Sequence, residues 1–170
     1  MATEKKVYKV INEAGLKALE NKCIIVKYAP HNLSAKILEF FNSEFYVLQL
    51  CEHEIVLIPF NLMTLNMTLK KEELLVIPYS RIKSIEISED LLNYIISITT
   101  DTDIIRLSTQ QKELSNLRTS GSLTSKKAGI TLENWHKDNL DITLEALKKI
   151  DTNSVVDLIN YQNTDLLACL

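Results

Sequence analysis

The fold class is decided by residues 73–108, whose sequence is ELLVIPYSRIKSIEISEDLLNYIISITTDTDIIRLS. Short aliphatic runs alternate in this stretch with polar breaks of two or three residues. Within IKSIEIS the isoleucines alternate with serine and glutamate, and in the next run Tyr94, Ile96 and Ile98 share one face. A period of two residues is typical of β-strands with one buried face. The stretch therefore predicts antiparallel strands joined by tight turns.

The same pattern extends upstream to residue 22 and predicts about eight strands. The predicted strands are CIIVKY (23–28), AKILEFF (35–41), EFYVLQLC (44–51), HEIVLIPF (53–60), ELLVIP (73–78), IKSIEIS (82–88), LNYIISITT (92–100) and IIRLS (104–108). Breaks such as Cys51-Glu52-His53 and Glu89-Asp90 are typical of hairpin turns. No long helical pattern separates the strands, so parallel βαβ units are not expected. EFYVLQLC and HEIVLIPF are apolar on both faces, which predicts a sheet covered on both sides.

Apolar residues at helical spacing occur both before and after the predicted strands. Leu16 and Leu19 predict a short helix over 12–20, whereas the preceding KVYKVI fits either a strand or the start of that helix. A longer amphipathic helix is predicted over 131–150. Its apolar stripe consists of Leu140, Leu144, Leu147 and Ile150, with Trp135 near the start. Residues 109–130 are rich in Ser and Thr and predict a long, mobile, locally basic loop after a short helical start.

The phrase Ile77-Pro78-x-Ser80-x-Ile82, followed by KSIEI and a hairpin, resembles one found in bacterial pleckstrin-homology-like domains. The resemblance covers roughly 22–150, and the chain departs from it in the length of segment 109–130 and in the residues beyond the helix. It implies an antiparallel split barrel, in which two nearly orthogonal sheets are closed by the C-terminal amphipathic helix. In that arrangement the end of the barrel is capped by Trp135, Leu140, Leu144 and Leu147.

This organisation divides the chain into an N-terminal extension with a short helix (1–21), a pleckstrin-homology-like domain (22–150) and a C-terminal helical tail (151–170). The tail is apolar at Val155, Val156, Leu158, Ile159, Leu166 and Leu167. A segment of this kind either folds back on its own domain or docks on a neighbour. The sequence leaves both alternatives open.

Composition excludes several classes of protein. The chain has 170 residues, with 19 Lys+Arg against 22 Asp+Glu and a formal net charge of −3. Nonspecific nucleic-acid binding requires a basic surface, so no nucleic-acid partner is expected. Neither a membrane-spanning helix nor a signal peptide is predicted, because no apolar window is long enough. The three cysteines lie in apolar surroundings and predict reduced thiols in a cytoplasmic protein.

The resemblance raises anion binding as a possible function. Lipid-binding members of the related eukaryotic group use a Lys in one strand and Lys/Arg-x-Arg in the next, so that several cations converge on clustered phosphates. Here Lys27 and Lys36 occupy the first hairpin, but Leu38 replaces the final Arg. Since a fold does not confer function, the site is not carried over. Further cations in segment 109–130 complete the candidate anion-binding set, which is Lys27, Lys36, Lys112, Arg118, Lys126 and Lys127.

No motif for catalysis or for a cofactor stands out. The segment from Gly121 to Lys127 lacks the second glycine of a phosphate-binding loop. No metal site is predicted, because no histidine or cysteine pair has the spacing of metal ligands. Cys51 lies two residues from His53, which leaves a nucleophilic pair open, but the local context of known cysteine nucleophiles is missing. We expect Cys51 in the core and the protein to be neither an enzyme nor a cofactor carrier.

The sequence therefore predicts a non-catalytic binding or assembly module. Its expected partner is a protein or peptide, bound at an open sheet edge or through the tail, and self-association into a homo-oligomer is one form of this prediction. The alternative is a peripheral binder of anionic lipid or ligand that uses the six cations above. A membrane surface is the less favoured partner.

Overall fold

A computed structural model describes residues 3–29, 45–61, 68–69, 73–114, 125–128 and 131–150. In chain order, the elements are helix α1 (Glu4–Glu13), strands β1 (Ala18–Tyr28), β2 (Phe45–Cys51), β3 (Glu54–Asn61), β4 (Thr68–Leu69) and β5 (Leu75–Pro78), a 3₁₀ turn (Tyr79–Arg81), strands β6 (Ile82–Asp90), β7 (Asn93–Thr100) and β8 (Ile104–Gln110), a 3₁₀ turn (Lys112–Leu114), strands β9 (Ser125–Ala128) and β10 (Thr131–Asn134), and a helix over 135–150, here called α2.

The strands form one large antiparallel sheet and one small one. The order in the large sheet is β4-β3-β2-β1-β8-β7-β6, and β5 also pairs with β3. Strands β9 and β10 form a separate hairpin. Within the described residues the large sheet does not close, so β6 is an edge strand on one side, and β4 and β5, which both pair with β3, lie at the other. The predicted class, mainly antiparallel β with helices, is confirmed.

Side chains alternate between two apolar cores on opposite faces of β1, β2 and β3. The α2-side core contains residues such as Ile24, Leu48, Leu50, Ile55 and Leu57, packed with Leu140, Leu144 and Leu147 of α2. The α1-side core contains Cys23, Ile25, Val47, Val56 and Ile58, packed with Val7, Val10 and Ile11 of α1. The predicted covering of these strands on both sides is therefore confirmed. Strands β6, β7 and β8 contribute to the α2-side core, mainly through isoleucines.

The N-terminal helix lies earlier than predicted. Val7, Val10 and Ile11 have helical spacing and are buried, so KVYKVI belongs to α1 and the prediction of a helix over 12–20 is wrong. Gly15 ends the helix, since its φ of +78° lies in the left-handed region that glycine adopts without strain. The Leu16 N–H donates to the Ile11 carbonyl at 3.1 Å, which completes this helix end. Strand β1 begins soon afterwards.

A polar cluster joins α1, β1 and α2. The Asn139 amide donates to Glu4 Oε1 at 2.9 Å and lies 3.3 Å from the Cys23 carbonyl oxygen. The Tyr8 hydroxyl donates to the same Glu4 oxygen at 2.5 Å and accepts the Asn21 N–H at 2.8 Å. Because these bonds satisfy polar groups at a helix–strand–helix junction, the cluster fixes both helices to the sheet.

His136 fills the place where β1 and β8 separate. The two strands pair only at Lys27 with Ser108 and at Tyr28 with Leu107. Next to this pairing, the Ile25 N–H donates to His136 Nδ1 at 3.0 Å, and the Thr109 hydroxyl donates to the Ile25 carbonyl at 2.8 Å. Two side chains thus replace backbone bonds that β8 no longer provides.

Three further predictions differ from the structure. Segment 109–130 is not one loop, because it contains the end of β8 and strand β9, although its short helical start is confirmed at Lys112–Leu114. Residues 131–134 are strand rather than helix. Trp135 packs on the α1-side core and not beside Leu140. The predicted strand 35–41 and the tail 151–170 lie outside the described residues.

Candidate functional site

The candidate anion-binding residues that the structure describes lie on different elements. Lys27, in β1, places its ammonium 4.9 Å from the centroid of the Phe45 ring. Lys112 follows β8 and is 2.5 Å from a carboxylate oxygen of Asp141. Lys126 and Lys127 belong to β9, where the backbone register sets Lys126 opposite Glu133. Lys36 and Arg118 lie outside the described residues, as do the six apolar tail residues from Val155 to Leu167.

The buried groups with nucleophilic or acid–base chemistry are held neutral. Burial, and then the Glu4 carboxylate, raise the pKa of the Cys23 thiol. Burial, and then Glu54, raise the pKa of Cys51 to about 12. Burial lowers the pKa of His136 to about 4. His53, which the sequence set beside Cys51, is exposed. These environments disfavour a thiolate nucleophile or a charged imidazole at neutral pH.

Among the described residues there is no group of three or more His, Cys, Asp or Glu side chains that could hold a metal ion. Nor does any helix in the described part of the chain have the length and apolar character needed to cross a bilayer.

One open depression, of about 540 Å³, lies on the outer side of α1. Its lining residues are Lys5, Tyr8, Lys9, Asn12 and Glu13. Lys9 and Glu13 form an exposed ion pair at 3.8 Å, so positive charge in the depression is partly offset. The depression is open to solvent and brings together no catalytic constellation.

Strand β6 offers a different kind of surface, the open edge of the large sheet. Its register with β7 runs from Ser84 opposite Thr99 to Asp90 opposite Asn93. The register shifts between Ile82 and Ser84, so the pairing is irregular at the beginning of the strand. No other strand in the described ranges pairs with β6 on its outer side. We call residues 82–90 the β6 edge.

The alternation of an antiparallel ladder determines which backbone groups of the β6 edge point outward. Asp90 and Asn93 flank a two-residue turn, and in such hairpins the flanking residues form the hydrogen-bonded pair. Every second residue towards the start of β6 then also bonds to β7. The N–H and C=O groups of Ile85, Ile87 and Glu89 therefore face outward, where an added strand could pair with them.

The two faces of the β6 edge have different chemistry. Ile85 is buried and Ile87 half-buried against the α2-side core. On the opposite face Glu86 and Asp90 are exposed. The predicted alternation of isoleucines with polar residues in IKSIEIS is confirmed.

The hairpin that follows the β6 edge ends in two exposed leucines. Leu91 is 90% exposed and Leu92 50% exposed. Leu91 has a φ of +54°, in the left-handed region that non-glycine residues rarely adopt. Gln111 holds the turn, because its N–H and its side-chain amide lie 3.3 and 3.4 Å from the Leu92 and Leu91 carbonyl oxygens. We call Leu91 and Leu92 the leucine tip.

Several carboxylates lie near the hairpin that carries the leucine tip. Glu89 and Asp90 directly precede it in β6. Tyr94, which lies opposite Glu89, has a raised pKa, first because of burial and then because of the carboxylates of Glu89, Glu113 and Asp141. Carboxylates from three elements thus lie around the end of this hairpin.

A comparison of the chain with family models, with curated proteins and with solved structures gives no significant match.

The leucine tip was missed by sequence reasoning, which placed the turn at Glu89-Asp90. Both of these residues belong to β6, and the turn lies at Leu91 and Leu92. Leucine has no turn propensity, so the available signal was Asn93, a turn-favouring residue that follows the pair. The β6 edge itself corresponds to a predicted strand, but its position at the end of the sheet required the strand order.

Proposed function

We propose that this protein is a non-catalytic binding module with a pleckstrin-homology-like fold that captures an extended polypeptide by strand addition. The β6 edge carries the proposal, since within the described residues no strand pairs with the outward backbone groups of Ile85, Ile87 and Glu89. Main-chain hydrogen bonds of this kind supply affinity in many peptide-binding domains. Self-association through the same edge is one form of this activity.

Three features support the pleckstrin-homology-like part of the proposal. The strand order places β1 between β2 and β8, so that the first strand links two meanders. Helix α2 follows the strands and packs its leucines on one core. The phrase from Ile77 to Ile82 lies at the 3₁₀ turn between β5 and β6.

The state of the buried reactive groups supports a binding role rather than an enzymatic one. Cys23 and Cys51 are fully buried, with raised thiol pKa values, and His136 is fully buried with a lowered pKa. Each contributes to packing or to a backbone hydrogen bond.

The experiment selects random peptides of about nine residues, displayed on phage, against the full chain. Enriched peptides are expected to perturb the backbone amide resonances of Ile85, Ile87 and Glu89. Glu89→Pro removes one outward N–H and should abolish binding, whereas Glu89→Gln keeps that N–H and should retain it. Ile87→Pro, which removes another of the outward N–H groups, provides a second block if Glu89→Pro does not fold, with Ile87→Ala as its control.

Failure to enrich any peptide would refute the proposal, as would enriched peptides that bind both proline variants normally. Salt-sensitive binding of anionic vesicles in the absence of peptide binding would favour the alternative anionic-ligand function. That alternative depends on cations of which Lys27 and Lys112 already contact Phe45 and Asp141.

A further inference from the structure

The leucine tip combines two unfavourable features in one residue. Leu91 is almost wholly exposed and adopts a left-handed φ of +54°. Glycine or asparagine would occupy the same position without strain and without exposing an apolar side chain. Backbone outliers of this kind are concentrated at functional sites. The leucine tip is therefore a candidate for contact with a partner.

The charges near the leucine tip indicate which kind of partner could bind there. The β6 edge has three carboxylates, on Glu86, Glu89 and Asp90, against one ammonium, on Lys83. Glu113 adds negative charge near Tyr94, whereas the Asp141 carboxylate in the same region is paired with the Lys112 ammonium. An anionic membrane surface or an acidic partner would be repelled here, whereas a cationic partner would be attracted.

The alternation of β6 specifies the pattern of that partner. Side chains of an added strand lie beside those of β6, with the same period of two residues. On one face they meet Glu86 and Asp90, which favour Lys or Arg. On the other face they meet Ile85 and Ile87, which favour aliphatic residues.

We propose that the β6 edge and the leucine tip together bind a partner segment in which basic and aliphatic residues alternate. An aliphatic residue at the end of that segment packs on Leu91 and Leu92. The inference rests on the proposed function, because it assigns the sequence class of the strand that β6 takes up.

The test measures binding of two end-capped octapeptides, one alternating Lys and Val and the other alternating Glu and Val, to the full-length labelled chain. The Lys–Val peptide should bind about tenfold more tightly, with a preference that falls as salt is added. Its binding should shift amide resonances of the β6 edge and of the leucine tip. The double variant Leu91→Asn, Leu92→Ser should weaken this binding about fivefold. Ile104→Ser removes another exposed aliphatic side chain, at the start of β8 and thus beyond the far end of β7, and should have no effect.

Two outcomes separate this inference from the proposed function. If both peptides shift the β6 resonances with equal affinity, strand addition stands and the charge preference is refuted. If neither peptide shifts them, and no displayed peptide is enriched, both proposals fail. Full binding by the tip double variant refutes the role of the leucines. Shifts of the tip caused by phosphatidylcholine vesicles, rather than by peptide, would assign it to a membrane and overturn the inference.

Discussion

Lowering the pH should destabilise this protein through one imidazole, that of His136. The ring is fully buried, and its Nδ1 accepts the Ile25 N–H, so the single proton lies on Nε2, which is 3.4 Å from the Gln110 carbonyl oxygen. A second proton on Nδ1 would face the Ile25 N–H donor and would bring a charge into the interior. Folding therefore favours the neutral ring and depresses its pKa.

The size of the effect follows from the two pKa values. The unfolded chain takes up the proton below pH 6.5, whereas the folded protein resists it until about pH 4. The stabilising contribution is thus present above pH 6.5 and is lost as the pH falls through this window. The complete loss is about 3 kcal/mol, of which about 2 kcal/mol disappears between pH 8 and pH 5.

The assay is urea denaturation at pH 8 to 5, followed by the fluorescence of the single tryptophan, Trp135. His136→Asn keeps an acceptor for the Ile25 N–H but cannot titrate. It should be less stable than wild type at pH 8 by about 2 kcal/mol, because packing is lost, and this difference should shrink to near zero at pH 5. Parallel stability curves for the two proteins would show that His136 is not the titrating group.

Three further predictions, on packing, backbone strain and polar contacts, can be tested by the same urea measurement. Leu140→Ala should cost about 3 kcal/mol because it opens a cavity in the α2-side core, whereas Ile142→Ala on the exposed side of α2 should change stability by less than about 0.5 kcal/mol. Similar losses for the two would contradict the orientation of α2. Leu91→Asn should raise stability by about 1 kcal/mol by relieving the left-handed strain, and a loss would disprove that strain. Asn139→Leu should cost about 2 kcal/mol, because Glu4 and the Cys23 carbonyl lose their shared donor. An unchanged free energy of unfolding would show that the polar cluster does not hold α1 on the sheet.

Much of the sheet could be predicted because apolar and polar residues alternate regularly along its strands. Strands β6, β7 and β8 begin within a residue of their predicted starts. The beginning of the chain could not. Apolar residues have helical spacing both before and after Gly15, and only the left-handed conformation of Gly15 decides where the helix ends. The first half of β1 includes Asn21 with a φ of +56°, and a register shift against β2. No local propensity favours a strand there, so pairing with β2 determines it.

The position of the leucine tip could not be predicted from the sequence, for a related reason. Glu89 and Asp90 have the stronger turn propensity, but a turn at those residues would set Ile96 opposite Lys83. The observed register sets Ile96 opposite Ile87 and Ile98 opposite Ile85, which packs all four against the α2-side core. Core burial thus fixes the register and moves two leucines into the turn.

The hydrogen bond between Asn139 and Glu4 joins residues 135 positions apart and has a consequence for synthesis. A ribosome adds about 5–20 residues per second, so α1 emerges on the order of ten seconds before α2. During that interval the leucines and isoleucines that α2 will cover have no helix against them. The nascent chain thus exposes this apolar face until α2 is synthesised, and the α2-side core cannot be completed before then.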